Sequence, residues 1–332
     1  MDLDAFIARR DPAWRRLAEL VGRRRRLTGA EIDELVALYQ QAATDLSVVR
    51  TSNPDPALVD RLTTLVSRGR TAVTSAPDSA ASTLARFVLV AFPLAVWRCR
   101  WWVAGVAVAF IAIGAVLGAW VAGSPAVQAA IASPEEIRRL VEVDFEAYYS
   151  SEPAGSFAAR VSTNNAWIAA LCLVLGGLLG LPVLWVLWQN VLNIGVSAGL
   201  MASADRLDLF FGLILPHGLL ELTCVFVAAG AGLRLGWTVI DPGRRRRTDA
   251  LAEEGRSTFT IALGLLVTLI AAGIIEAFVT PSGLPTPVRI GIGMTALGTF
   301  GAYIGVLGRR AERLGLDSDV AELTRTRVAV AG

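Results

Sequence analysis

Long uncharged apolar runs, separated by shorter polar and charged stretches, are the dominant pattern of this 332-residue chain. Beyond residue 101, several of these runs exceed the roughly 18 residues that an α-helix needs to cross a lipid bilayer. Inside lipid, a single segment satisfies its own backbone hydrogen bonds only as a helix. The pattern therefore predicts an all-α fold: a polytopic membrane protein with about six transmembrane helices and an N-terminal helical cytoplasmic head.

The positions of the apolar runs define the predicted spans. Residues 166–204 hold 39 positions without a charged side chain, which is too long for one span of about 20 residues. We therefore predict two helices there, with a turn near Pro182 or the Gln189–Asn190 pair. The alternative is one helix and a re-entrant segment buried in protein. The predicted spans are 102–123, 166–184, 187–204, 209–237, 258–279 and 287–308, of which the last five form a bundle within 164–308.

The distribution of arginine predicts the orientation of these spans. With six spans and both termini in the cytoplasm, 25 of the 31 arginines lie on the cytoplasmic side, as the positive-inside rule requires. The loop 124–163, which is rich in acidic residues, is then extracytoplasmic, and the tail 309–332 is cytoplasmic. If 166–204 crossed only once, Arg244–Arg247 would lie outside. We predict a multi-pass protein of the cell membrane.

The N-terminal region has a different pattern. Residues 1–76 carry apolar side chains at helical spacing, with a capping-box pattern at Thr28 and Glu31, and they predict a helical head. Residues 77–101 contain an apolar stretch that is interrupted by Pro93 and flanked by arginines. That pattern favours an amphipathic helix lying in the membrane interface and leading into the first span.

Composition narrows the function classes. Hydrophobic residues make up 54% of the chain and the mean hydropathy is +0.54, as expected for an integral membrane protein. The three cysteines are scattered, so neither a disulfide framework nor a cysteine-based zinc site is predicted. The polar N-terminal region does not resemble a signal peptide. Because the arginines cluster at membrane boundaries, they give no indication of nucleic-acid binding.

Pairs of glycines four residues apart occur in several spans. Such pairs let helix backbones approach closely where lipid supplies no hydrophobic driving force. They predict tight helix packing, within the chain or between copies of it. The pairs are Gly114 and Gly118, Gly176 and Gly180, Gly195 and Gly199, and Gly301 and Gly305.

Ionisable side chains inside the spans are the candidate functional residues. His217, the only histidine, lies four residues before Glu221, so the two share one helix face. Pro216 and Gly218 flank the histidine, and the proline removes a backbone hydrogen bond and predicts a kink. Glu276 is the other acid within a span, and its depth allows it to meet the pair in the outer half of the bundle. The uncharged polar candidates are Asn164, Asn165, Asn190 and Asn193.

Three interpretations of this intramembrane polar site remain open. In the first, its side chains hydrogen-bond one another and hold the bundle together. In the second, they line a water-filled cavity of a permease. In the third, His217, Glu221 and Glu276 supply nitrogen and oxygen ligands to a metal ion in an intramembrane hydrolase, although a single histidine without an H-E-x-x-H pattern gives that little support. No catalytic residues, resident metal or cofactor are predicted.

Several of these residues lie in elements that resemble the stage II sporulation protein M family. The elements are Asn164-Asn165-Ala166, GGLLGLP at 176–182, Gln189-Asn190 with Asn193-Ile-Gly195, Leu215-Pro-His-Gly-Leu-Leu-Glu221 and Gly230-Ala-Gly232-Leu. The resemblance is close over about 160–240 and implies a multi-pass membrane protein. The family's marked positions that match here are Asn164, Asn165, Asn190, Pro216, His217, Gly218 and Glu221.

The resemblance also implies work in a complex. The sporulation member acts with other membrane proteins that remodel peptidoglycan during engulfment, where it anchors or localises hydrolases and is not itself the hydrolase. Relatives in non-sporulating bacteria often lie beside genes for a MoxR-type ATPase and an RDD-family membrane protein. This chain differs from the sporulation type in its arginine-rich head and its acidic loop, so the engulfment role itself is not predicted.

Together these observations predict an integral membrane scaffold or assembly subunit that anchors or localises partners such as cell-envelope remodelling factors. The alternative is a permease- or channel-like protein that uses His217, Glu221 and Glu276, and an intramembrane metal-dependent hydrolase comes third. The expected partners are the lipid bilayer, other membrane proteins and further copies of this chain. The head and the acidic loop, including Tyr148 and Tyr149, would be available to those partners.

Overall fold

The computed structural model describes residues 3–23, 27–51, 56–74, 80–145 and 154–318. Within these ranges the secondary structure is helical and contains no β-strand, so the predicted all-α class is confirmed. Tyr148 and Tyr149 lie outside the described residues. The chain divides into two compact units, a head unit that ends at Leu84 and a membrane unit that begins at Ala85.

The helices are numbered here in chain order. They are α1 (Leu3–Gly22), α2 (Gly29–Thr51), α3 (Pro56–Thr74), α4 (Ala80–Arg86), α5 (Phe92–Arg98), α6 (Arg100–Ala122), α7 (Pro125–Ile131), α8 (Pro134–Arg139), α9 (Ala154–Leu175), α10 (Leu181–Ser203), α11 (Leu207–Ile240), α12 (Arg247–Phe278), α13 (Thr286–Tyr303) and α14 (Arg309–Arg313). Short π-helical segments at Phe87–Ala91, Leu140–Asp144 and Ile304–Gly308 continue α4, α8 and α13 without a break in the helix.

Helices α1, α2 and α3 pack around the apolar core of the head unit. Trp14 and Leu17 of α1 are fully buried in it. The Trp14 indole N–H donates to the carboxylate of Asp45 at 2.9 Å, and Arg10 lies 3.4 Å from the same carboxylate. Asp45 is thus a buried acid of the head whose charge and acceptors are both matched.

Helix α2 begins with the capping box that the sequence predicts. The Thr28 backbone N–H donates to Glu31 Oε2 at 2.8 Å, and the Glu31 backbone N–H donates to Thr28 Oγ1 at 3.4 Å. These bonds satisfy amides that have no acceptor within the helix. By favouring the ionised carboxylate, the bonds from Thr28 hold the pKa of Glu31 below its ordinary value of 4.5.

Helix α11 is the centre of the membrane unit and packs against α6, α9, α10, α12 and α13. Its second half lies in the apolar core, where Val227, Ala228 and Ala229 are almost fully buried. On one side of it, α6 and α10 pack face to face through glycines. A Cβ atom at Gly199 would come within 2.7 Å of the Gly118 carbonyl oxygen, so only glycine allows this approach.

Six helical segments among the described residues are long and apolar enough to cross a membrane. They are Ala81–Arg98, Arg100–Ala122, Leu181–Ser203, Leu207–Ile240, Arg247–Phe278 and Thr286–Arg313. The number agrees with the prediction, but the set differs in one member. Among the described residues, helix α9, which lies where the span 166–184 is predicted, is not in the set, whereas Ala81–Arg98 is.

The turn within the uncharged stretch 166–204 lies at 176–180, and neither at Pro182 nor at Gln189–Asn190. Leu179 and Gly180 take left-handed φ values of 58° and 74°, which reverse the chain between α9 and α10. Pro182 lies in the first turn of α10, where its missing N–H costs nothing. Two helices of 22 and 23 residues, joined by the turn at 176–180, therefore replace the predicted bounds 166–184 and 187–204.

The segment Ala81–Arg98 packs alongside the end of the last membrane helix and runs in the same direction. The Tyr303 hydroxyl donates to the Val88 carbonyl, and further along the Trp97 indole N–H donates to Glu312 at 2.8 Å. Between these contacts, a Cβ atom at Gly308 would lie 2.5 Å from the Trp97 side chain. The segment is thus part of the packed unit, while its predicted position in the membrane interface stays a prediction.

Candidate functional site

Helix α11 carries the first two ionisable residues of the predicted site. It continues as a helix through Pro216, so His217 and Glu221 project from the same face, as their spacing predicts. The carbonyl oxygens of Leu215 and Pro216 pack against Gly293 of α13. A Cβ atom at Gly293 would lie 2.5 Å from the Pro216 oxygen. Pro216 and Gly218 therefore lie within a continuous helix, and the kink predicted at them stays a prediction.

The His217 imidazole is 3% exposed and is held between two groups at the end of α12. Its Nδ1 lies 3.0 Å from Thr280 Oγ1, and its Nε2 lies 3.6 Å from Glu276 Oε1. When Nδ1 donates to the threonine hydroxyl, Nε2 is left with its lone pair directed toward the Glu276 carboxylate. At 3.6 Å, the nitrogen and the oxygen are too far apart for a direct hydrogen bond.

Glu221 is held by helix α9. Ser162 Oγ donates to Glu221 Oε1 at 3.1 Å, and Asn165 Nδ2 donates to Glu221 Oε2 at 2.5 Å. Each carboxylate oxygen of Glu221 thus has a donor, although the residue is only 2% exposed. Helix α9 comes this close because α12 has a glycine opposite: a Cβ atom at Gly273 would lie 2.6 Å from Ser162 Oγ.

Glu276 of α12 has no such support. It is 1% exposed, and neither of its carboxylate oxygens has a hydrogen-bond partner among the described residues. Ligand atoms of His217, Glu221 and Glu276 all lie within 4.8 Å of one another. The three residues therefore form one buried cluster, referred to below as the His–Glu–Glu cluster.

The turn after α12 is fixed by an arginine of α13. Arg289 Nη1 donates to the Thr280 carbonyl at 2.7 Å, and Arg289 Nη2 donates to Thr286 Oγ1 at 3.0 Å. This arrangement places the Thr280 hydroxyl against the His217 ring. Ser162, Thr280 and Arg289 were not predicted as site residues, because hydroxyls and a single arginine near a span end carry no distinguishing sequence pattern.

The predicted asparagines divide between the cluster and other places. Asn165 contacts the cluster by donating to Glu221. Asn190 donates its amide to the Val186 carbonyl of its own helix at 2.8 Å. The side chains of Asn164 and Asn193 are exposed.

A second buried carboxylate gives a useful contrast. Glu254 of α12 is 5% exposed, and it accepts a hydrogen bond from Arg234 of α11 at 2.7 Å. The arginine charge neutralises it in the usual manner of a buried acid. In the His–Glu–Glu cluster, Glu221 instead accepts hydrogen bonds from Ser162 and Asn165, and Glu276 has no hydrogen-bond partner among the described residues.

Fold and site together define a class: a polytopic α-helical membrane protein with a histidine and two glutamates buried where α9, α11 and α12 meet. The stage II sporulation protein M family model matches residues 107–281, just over half of the chain. This chain belongs to the stage II sporulation protein M family, which confirms the resemblance. The matched region contains all three cluster residues together with Ser162, Asn165 and Thr280.

One further family model and one relative also match parts of the chain. A domain of unknown function (DUF8413) matches residues 4–75, the region of α1 to α3. The uncharacterized protein MJ0793 of Methanocaldococcus jannaschii is 29% identical over 123 residues, which are 36% of this chain and 69% of that protein. No solved structure matches the chain.

Proposed function

We propose that this chain is an assembly subunit of the cell membrane, which holds the transmembrane helix of another membrane protein against α13. Both termini are proposed to be cytoplasmic, as the arginine distribution favours. The family match supports a membrane protein of this kind, and the resemblance described above suggests that the partners include envelope-remodelling factors. No catalytic activity is proposed for the chain itself.

The observation that carries the proposal is the different use of the four glycine pairs. Three of them pack inside the chain: Gly114 and Gly118 meet Gly195 and Gly199, and Gly176 with Gly180 meets α11. The fourth pair lies at the end of α13, at Gly301, and in its π-helical continuation, at Gly305. A Cβ atom at either position would meet nothing within 4 Å. The same is true of Gly291 and Gly298 on this helix. In membranes, such small-residue surfaces are where helices associate.

The surroundings of α13 add to this argument. Apolar grooves flank it on both sides, one of about 890 Å³ against α12 and one of about 740 Å³ against α6. Gly291 and Thr295 line the first groove, and Gly301 and Gly305 line the second. A partner helix seated on this small-residue surface would fill space at both edges of α13.

The permease alternative has less support. Transport through the His–Glu–Glu cluster requires a water-accessible path to it, yet its three residues are between 1% and 3% exposed. Neither groove beside α13 is lined by His217, Glu221 or Glu276. The geometry therefore favours a partner-binding membrane surface over a conducting one.

The test is a pull-down from mild detergent with a bulky residue placed on the proposed surface. Gly298→Leu and Gly301→Leu should reduce the amount of co-purifying membrane protein by about tenfold, a loss of about 1.4 kcal/mol of binding free energy. Gly105→Leu is the matched control, because a Cβ atom at that exposed position of α6 also meets nothing within 4 Å. Wild-type protein that purifies alone, or partners that survive both substitutions, would contradict the proposal.

A further inference from the structure

Glu276 presents an electrostatic problem that the assembly role does not address. Its carboxylate is buried in the membrane unit and both oxygens lack a hydrogen-bond partner among the described residues. An unpaired carboxylate away from water is costly, so the native protein must neutralise it. The neutralising species is either a proton or a cation.

The neighbours of Glu276 distinguish these two. A protonated Glu276 would still lack a hydrogen-bond acceptor among the described residues, because His217 Nε2 lies 3.6 Å from Glu276 Oε1. Neutralising both acids with protons would also require two protons, and the hydrogen bonds that Glu221 accepts from Ser162 and Asn165 favour its ionised form. A divalent cation neutralises both carboxylates at once and leaves the cluster with no net charge.

We propose that His217, Glu221 and Glu276 bind one divalent transition-metal ion of the zinc type. The cluster offers one imidazole nitrogen and two carboxylate groups, a donor set that suits zinc, manganese or ferrous iron. The imidazole disfavours magnesium and calcium, which prefer oxygen ligands alone.

The distances are compatible with such an ion. With zinc–ligand bonds of about 2.0–2.2 Å, two ligands of a tetrahedral site are about 3.4 Å apart. The separation of His217 Nε2 and Glu276 Oε1, 3.6 Å, is already close to that value. The ligand atoms of the cluster lie at most 4.8 Å apart, so the widest separation must close by about 1.4 Å on binding.

The groups around the three ligands match what a metal site requires. Metal-binding histidines usually have a hydrogen-bond partner on the second ring nitrogen, and Thr280 Oγ1 takes that position at 3.0 Å from Nδ1. Ligating carboxylates are hydrogen-bonded in turn, as Glu221 is by Ser162 and Asn165. The ion would tie α11 to α12 directly, and α9 to both through Glu221.

The first experiment measures metal on the full-length protein. Purified protein is treated with a chelator and then equilibrated with zinc. After unbound zinc is removed, the metal content is measured by mass spectrometry. Wild type should retain one zinc per chain, whereas His217→Ala and Glu276→Gln should retain none. Thr280→Val, which removes only the partner of the histidine, should bind roughly 10–100-fold more weakly.

Two controls separate this site from other ligands. Cys224→Ala removes a buried thiol one helical turn beyond Glu221, and Asn190→Ala removes a polar group on α10. Both should keep the wild-type zinc content. Wild type that retains no zinc, or His217→Ala and Glu276→Gln variants that retain it fully, would overturn the proposal.

If the ligand variants do not fold, the absorption spectrum of cobalt bound to the wild-type protein tests the proposed metal site. Cobalt substituted into wild type should give the visible absorption of a nitrogen- and oxygen-bound ion, without the near-ultraviolet band of a cobalt thiolate. The absence of cobalt absorption, or the presence of the thiolate band, rules the site out. Because metal binding is measured on the isolated chain, its failure is distinct from a failure of partner binding at α13.

Discussion

At the scale of single residues, Glu31 shows how a helix cap perturbs a partly exposed side chain. Its pKa is lowered by hydrogen bonds from the backbone and then the side chain of Thr28. For a carboxyl group with a lowered folded-state pKa, the stabilising contribution is present above the ordinary value of 4.5 and is lost as the pH falls through the folded-state pKa. The start of α2 should therefore loosen in acid before the core of the head does.

This effect can be measured by carboxyl NMR titration of the full-length protein. Glu31 should titrate below 4.5 in the unsubstituted chain, and Thr28→Val, which removes the hydroxyl but keeps the backbone N–H, should raise its pKa part of the way toward 4.5. Glu136 provides the reciprocal control, since hydrogen bonds from Ser133 lower its pKa in the same way at α8. Ser133→Val should move Glu136 alone; an ordinary pKa for Glu31 before any substitution would contradict the cap.

The residues of the candidate site were predictable to different degrees. His217, Glu221 and Glu276 were found because an ionisable group within a long apolar run stands out, and Asn165 was among the uncharged polar candidates. Thr280 and Ser162 could not be found, because hydroxyls are common in membrane helices and these two gain their role only when α9, α11 and α12 pack together. Asn193 shows the converse, a polar residue in a span that faces outward.

At the scale of elements, close contact between α9 and α11 depends on glycine. A Cβ atom at Gly232 of α11 would lie 2.1 Å from the Cys172 carbonyl oxygen, and one at Gly236 would lie 2.7 Å from the Gly176 oxygen. Backbone atoms cannot move aside as a flexible side chain can. These two helices therefore stay in register only while both positions remain glycine.

The prediction that follows compares two glycines of this region. Gly232→Val should destabilise the membrane unit by at least about 1–3 kcal/mol, the usual cost of overpacking a filled core. Gly177→Val lies in the neighbouring turn, where a Cβ atom would meet nothing within 4 Å, and should leave stability nearly unchanged. Thermal unfolding in detergent and the monodisperse fraction on size exclusion report the difference; equal behaviour of the two variants would refute the contact.

Element bounds were harder to predict than element number. Apolar periodicity located α11 within a few residues, because its flanks are charged. The polar first half of α9 concealed a helix start twelve residues before the predicted one, since its Ser162 and Asn165 face Glu221 inside the protein and not lipid. The position of Ala81–Arg98 beside the last helix depends on contacts with residues more than 200 positions away, which no local pattern encodes.

At the scale of the whole molecule, the proposed orientation rests on the arginine-rich loop between α11 and α12. The native cysteines Cys99, Cys172 and Cys224 are all buried, so an introduced surface cysteine can be labelled selectively. On intact cells, a membrane-impermeant maleimide should label Ala130→Cys, in α7, and should reach Arg245→Cys only after the membrane is permeabilised. Labelling of Arg245→Cys on intact cells would reverse the orientation.

The pairing of the first and last segments of the membrane unit has a mechanical consequence. Near the start of this unit, the Trp97 indole N–H donates a hydrogen bond to Glu312, and Arg98 donates one to the Leu316 carbonyl. Both acceptors lie near the end of the unit. When these two segments are pulled apart, the hydrogen bonds between them bear the force before the helices that lie between them in sequence. We therefore expect the spacing of His217, Glu221 and Glu276 to stay unchanged under tension on the two ends until these hydrogen bonds break.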